Sequence, residues 1–176
     1  ELAVDEGFIA LSAQDLPLTL VAGKQVIGFG KFESHFISDP LTLELAETKD
    51  TAIKLQFEHL GFYGSAYVFN GDIEKPDEND EIKQAGAQLG FVRSNKNSHL
   101  EIGVDYISSL AESETLVDYL QADDADAQLK KNVAAASIHG LLSLNKWQFL
   151  AEYISATRAF NEGDLSFNAS GAQPSS

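Results

Sequence analysis

The segment spanning residues 51–70 constrains the fold more than any other, because it reads as two alternating strands separated by almost no turn. In Ile53-Lys54-Leu55-Gln56-Phe57-Glu58 the apolar residues take one face and Lys54, Gln56 and Glu58 the other, since successive strand side chains point opposite ways. Gly61 follows within His59-Leu60-Gly61, where a tight reversal needs positive φ. The return strand sets Tyr63, Ser65, Tyr67 and Phe69 against Phe62, Gly64, Ala66 and Val68. Each strand is near the roughly 9–11 residues that cross a bilayer.

The same pattern recurs along the chain. Residues 6–12 and 18–26 form a first pair around the compact connection 13–17. In residues 84–92, Ala85, Ala87, Leu89 and Phe91 oppose Gln84, Gly86, Gln88 and Gly90, and glycines on a polar face fit a crowded pore. Leu100, Ile102, Val104 and Tyr106 then oppose Glu101, Gly103 and Asp105. Ala136, Ile138, Gly140, Leu142 and Leu144 oppose Ser137, His139 and Ser143. After Asn145-Lys146 the last strand places Trp147, Phe149, Ala151 and Tyr153 away from Gln148 and Glu152.

Connections alternate short and long, the long ones being residues 27–50, 71–83 and 108–132. Up-and-down outer-membrane barrels show this asymmetry, and soluble sandwiches have no reason to keep it. Nineteen of the twenty-seven acidic residues lie in the long connections or after Arg158. Trp147, Tyr106, Tyr153, Phe57 and Phe62 sit toward strand ends, as interfacial aromatics do. The expected fold is therefore all-β, a single-domain antiparallel up-and-down meander of about eight strands over residues 1–176. It is a transmembrane β-barrel or an internal segment of a larger one. Both chain ends fall on the long-loop side, which favours the internal segment. The start at Glu1, without methionine anywhere, favours a processed or excised chain.

Inside the long connections, residues 41–45 alternate like a strand, yet Asp39 before Pro40 suits a helix start, so both remain open. Ser109-x-x-Glu112 reads as a capping box ahead of a short helix carrying Leu116, Val117 and Leu120.

Composition agrees with a barrel without requiring one. No run of about 18 apolar residues is present for a spanning helix. A mean hydropathy of −0.14 leaves a barrel open, because a lipid-facing strand needs only every second residue apolar. The formal charge of −15 argues against nucleic acid, which needs clustered Lys and Arg. Without cysteine there is neither a disulfide scaffold nor a thiol-ligated metal, and the four histidines lack metal-ligand spacing. No cofactor is expected.

At Gly23-Lys24-Gln25-Val26-Ile27-Gly28-Phe29-Gly30-Lys31-Phe32-Glu33-Ser34 and Ile37-Ser38-Asp39-Pro40-Leu41-Thr42-Leu43-Glu44-Leu45 the chain resembles the LbtU family of siderophore porins. Gly61-Phe62-Tyr63-Gly64-Ser65-Ala66-Tyr67-Val68-Phe69-Asn70-Gly71-Asp72 and Tyr106-Ile107-Ser108-Ser109-Leu110-Ala111-Glu112-Ser113 add to the likeness. Family members tend to read Pro-Phe-Gly where this chain has Gly28-Phe29-Gly30, and the family's amino-terminal segment is missing here. The resemblance implies an outer-membrane β-barrel of Gram-negative bacteria that takes up a siderophore or similar small solute. It carries no ligand-binding motif onto particular residues.

Lys54, Gln56, Glu58, Glu101, Asp105, His139 and Glu152 are the pore-lining candidates, because charges on the walls of a narrow pore set the sign and size of what passes. The plainer reading is the wet face of an ordinary sheet. Ile53, Leu55, Phe57, Leu89, Phe91, Ile102, Val104, Trp147 and Phe149 are expected to face lipid. Expected partners are outer-membrane lipid, lipopolysaccharide and a small hydrophilic solute. The acidic stretches 72–81 and 123–126 either bridge through divalent cations to lipopolysaccharide or are solvated loops, and neither has an EF-hand ligand ladder. Ser137 and His139 share a face with Asp105 in reach, but no Gly-x-Ser-x-Gly elbow accompanies them, so no enzyme is expected. The competing function is a secreted or surface β domain that binds a partner through its acidic loops.

Overall fold

The computed structural model describes residues 6–31, 40–71, 82–121 and 132–160. It shows eight strands in one antiparallel sheet ordered as they follow in the chain: β1 (Gly7–Ser12), β2 (Leu18–Val26), β3 (Lys49–His59), β4 (Phe62–Phe69), β5 (Gln84–Ser94), β6 (Ser98–Ile107), β7 (Ala135–Leu144) and β8 (Trp147–Ala156). The up-and-down meander is therefore the fold. Among the described residues β1 and β8 are its two edges, and the sheet is not closed.

The turns have the chemistry that their length demands. Leu60 and Gly61 both take positive φ, 52° and 85°, as a two-residue hairpin with right-handed strand twist needs. Asn145 does the same at φ 52° in the β7–β8 turn. Four short connections gather at one end of the sheet and three long ones at the other.

The long connections settle two open expectations. Residues 41–45 belong to a helix, α1 (Leu41–Ala46), whose N-cap is Pro40, while Asp39 lies outside the described residues. The capping box does not form: a 3-10 turn (Leu110–Glu112) follows Ser109, whose hydroxyl is buried without a partner among the described residues. The second helix, α2 (Glu114–Gln121), starts one residue after Ser113 instead, and its first amide is satisfied by the Glu47 carbonyl at 2.8 Å. Ion pairing of Lys49 with Glu114 at 3.6 Å ties the same two segments. Leu116 and Val117 are buried as expected, and the Leu120 side chain lies outside the described set, as do the acidic stretches 72–81 and 123–126.

The sheet curls toward its polar face. From β2 to β8 there are six strand spacings, about 29 Å along a flat sheet at ~4.8 Å each. Yet residues 27–31, directly after β2, bring the Lys31 amide to 2.7 Å from Glu152 Oε1 on β8. Five residue steps reach at most about 18 Å, so even with a glutamate side chain the gap closes only if the sheet bends into a trough. This segment lies inside the trough, over the concave face of the sheet. Ile27 and Phe29 are buried, and the Gly28 carbonyl accepts a hydrogen bond from the Tyr67 hydroxyl at 3.2 Å.

At the long-connection end the trough holds a small apolar core of Ile27, Phe29, Ala46, Ala52, Tyr67, Phe69, Ile107 and Ala135, with Leu110 and Ile154 against it. The convex side has no protein cover among the described residues. Ile53, Leu55, Leu89, Ile102, Val104, Trp147 and Phe149 are all exposed there, Trp147 at 63% and Phe149 at 58%. Phe57 and Phe91 share that side but are half-buried. Phe57 lies over the bare backbone of Gly64, where an added Cβ would stand 2.6 Å from its ring, and Phe91 packs against Phe62 with the rings tilted and their centroids 5.0 Å apart.

Glycines on the concave side exist to make room, as the sequence pattern implied. A Cβ on Gly86 would stand 2.3 Å from the Tyr67 hydroxyl. Gly86→Val is therefore expected to expel Tyr67 from its bonds to the Gly28 and Tyr106 carbonyls. The loss should be about 1–3 kcal/mol in urea unfolding, as overpacking typically costs, whereas Ala87→Val on the open convex side should be near neutral.

Candidate functional site

The seven pore-lining candidates all lie on the concave face, where strand register sorts them into rows. One row runs Glu58, Tyr63, Gly90, Gly103, His139 and Glu152 across β3 to β8, with Glu101 one pair nearer the short turns. Its two central glycines explain its chemistry. Tyr63 leans over Gly90 from one side and His139 over Gly103 from the other, so two rings three strands apart meet above bare backbone. The Tyr63 hydroxyl sits 3.0 Å from His139 Nε2 and donates to Glu101 Oε1 at 2.9 Å.

From this junction the polar contacts extend both ways. His139 Nδ1 lies 3.2 Å from Asp105 Oδ2, with both side chains almost wholly buried. Glu101 Oε1 is also paired with Lys31 Nζ at 3.1 Å, and its other oxygen lies 3.7 Å from His99 Nε2. Lys31 donates its backbone amide to Glu152. Asp105, His139, Tyr63, Glu101, Lys31 and Glu152 thus form one chain linking β4, β6, β7, β8 and the segment after β2. A buried carboxylate left without partners is costly, so this wiring fixes the side chains in place.

The next row is neutral but for Asp105: Thr19, Gln56, Ser65, Gln88, Asp105 and Ser137. Lys54 stands one pair further along the same face, level with Tyr67. Between these rows and the first connection opens a cleft of about 580 Å³, lined by Lys31, Lys54, Gln56, Glu58, Ser65, Gln88 and Glu101 among others.

The structure brings the candidates together in two ways. Glu101, Asp105, His139 and Glu152 join the buried network, while Lys54, Gln56 and Glu58 line the cleft with Glu101. Sequence reasoning missed Tyr63 and Lys31. Tyr63 was visible as a member of the polar face, but its reach across three strands depends on two glycines falling in register. Lys31 sat in a connection with no assigned structure. The Ser137, His139 and Asp105 grouping is only half realised: Asp105 meets His139, but the other ring nitrogen turns to Tyr63, and the Ser137 hydroxyl is buried without a partner among the described residues. Among those residues no group of three or more His, Cys, Asp or Glu is placed to hold a metal.

Tyr63→Phe removes one hydroxyl that serves two partners. It is expected to cost about 1–3 kcal/mol, the penalty for a buried polar group left unpaired, with Gly103→Ala giving a comparable loss through His139. Urea unfolding of both, and of the double variant, checks this: coupled effects that fall well short of additivity are expected because the two act on one junction.

The chain is similar to a UPF0422 protein of Coxiella burnetii, 30% identical over 162 residues that are 90% of this chain and 34% of the relative. UPF0422 proteins of Legionella pneumophila strains Lens and Philadelphia 1 are 27% and 26% identical over 184 residues, 96% of this chain and again 34% of theirs. The chain thus spans about a third of the length of the curated relatives it matches. No family model matches it. No solved structure matches it either.

Proposed function

We propose that the chain forms part of the wall of a porin-like channel in the bacterial outer membrane, passing small hydrophilic solutes. Uptake of a siderophore is what its likeness to the LbtU family adds. One observation carries the reading: polarity is inverted relative to a water-soluble sheet. The convex side is exposed and apolar over seven strands, from Leu20 and Ile53 to Tyr153, whereas the concave side buries Glu101, Asp105 and His139. Soluble monomers rarely expose apolar patches beyond a few hundred Å². Hydrocarbon is the medium that removes the penalty.

Strand lengths support the same reading. β3 to β8 have 8 to 11 residues, matching a tilted crossing of the bilayer core. No described helix is long and apolar enough to cross a membrane. The partners on this reading are outer-membrane lipid on the convex side, lipopolysaccharide near the acidic connections, and solute on the concave side.

Two measurements test it. The full chain is expected to need detergent or lipid to stay monodisperse, and to let small sugars swell proteoliposomes. A clean monomer in plain buffer would end this reading and favour the surface-exposed β domain. Val104→Arg, at the middle of β6, sharpens the contrast. In lipid it is expected to cost roughly 2–4 kcal/mol of folding free energy, while on a water-exposed surface it would change stability by no more than about 0.5 kcal/mol.

A further inference from the structure

Within the channel reading, on which the direction of solute traffic rests, we infer that the cleft beneath residues 27–31 is an oxyanion subsite anchored by Lys54. The cleft would take a small solute bearing a carboxylate or phosphate group. The argument starts from an imbalance. Of the two lysines lining the cleft, Lys31 is bound to Glu101, whereas Lys54 is half-buried and makes no hydrogen bond or ion pair with any described residue. In a chain of net charge −15, with twenty-seven acidic residues, a partly desolvated lysine that is ion-paired to none of the described carboxylates is out of keeping with the composition. Glu6, ahead of β1, reaches it only through its field.

The surroundings complete a site. Gln56, Ser65 and Gln88 are direct cross-strand neighbours in one row, at ~4.8 Å spacing. The Ser65 hydroxyl is buried with no partner among the described residues, so it is a donor left over beside the lysine. Lys54 lies two residues along β3 from Gln56, about 6.8 Å away on the same face. Gly28 packs over this row: a Cβ there would come into van der Waals contact with it, 3.4 Å from Ser65 Oγ and 3.5 Å from Gln88 Oε1. One cation and three amide or hydroxyl groups around an open cleft match an oxyanion, which takes charge-assisted hydrogen bonds from such donors. Glu58 and Glu101 lie nearer the short turns; Glu101 is neutralised by Lys31, and Glu58 is exposed at the mouth.

The test titrates the folded full chain, in detergent or in buffer, with inorganic phosphate and separately with succinate by calorimetry at fixed ionic strength. Saturable binding of either is expected, weakened roughly tenfold, about 1.4 kcal/mol, in Lys54→Gln and retained in Lys54→Arg. The ligand that binds more tightly identifies the group. Gly28→Val, which leaves Lys54 in place but crowds Ser65 and Gln88, is expected to weaken binding too. Absence of saturable binding to both ligands, or equal binding by wild type, Lys54→Gln and Gly28→Val, overturns the subsite. Neither result touches the amphiphile requirement or the swelling assay, so the subsite and the channel reading fail separately.

Discussion

Curvature toward the polar face is the constraint on which the rest of the structure depends. A flat sheet with this sequence would expose two faces and bury neither. Bending brings β8 close enough for Glu152 to accept the Lys31 amide, and it lets the segment after β2 lie inside the trough with Ile27 and Phe29 covered. It also draws Tyr63 and His139 together across three strands. The bend is permitted by what the concave side lacks. Gly86, Gly90 and Gly103 remove three side chains where Tyr67, Tyr63 and His139 must fit. Small residues inside and large ones outside are what a sheet needs in order to close around something narrow.

The two ends of the trough divide the labour. Near the long connections the interior is apolar, with α1, residues 27–29 and the ends of β3, β4, β6 and β7 making a compact core. Near the short turns it is polar, ion-paired and partly open, with a cleft of about 580 Å³. An interior filled at one end and open at the other differs from an open pore, because on the channel reading a solute entering the cleft would meet the Gly28 to Lys31 segment before free passage. That segment is held by Tyr67 at its middle and by Glu101 and Glu152 at its end. On the channel reading any path through the trough would be shaped by it, so its anchors would matter to passage without touching a solute.

Most of the fold was legible because a strand repeats every two residues and each face of these strands has one solvent preference. The pattern at Ile53, Leu55 and Phe57 against Lys54, Gln56 and Glu58 fixes which side each residue takes, and a short turn such as Asn145-Lys146 then fixes the register of its neighbour. Less was legible where the chain leaves that period. Residues 41–45 alternate like a strand, but they lie in a long connection with no neighbouring strand to pair with, and the extended Pro40 starts a helix there. Ser109 and Glu112 have capping-box spacing, yet the backbone enters a 3-10 turn between them, so the helix begins after Ser113. The site was half legible for a related reason. Face membership follows from period, but the Tyr63 to His139 contact requires knowing that Gly90 pairs with Gly103 in the β5–β6 hairpin and that β4 and β7 fall in register with it across two long connections.

The open edges set the last step. β1 and β8 expose unpaired backbone amides and carbonyls on their outer sides among the described residues. In water such edges are tolerated when short or charged, but in hydrocarbon each unsatisfied group costs several kcal/mol. The apolar face and the open edges therefore make opposite demands on the same medium. Lipid suits the face, but it suits the edges only if they are paired. On the channel reading both edges of the sheet would have to be paired. The curl already present, enough for residues 27–31 to bridge β2 and β8, would be the geometric half of that pairing.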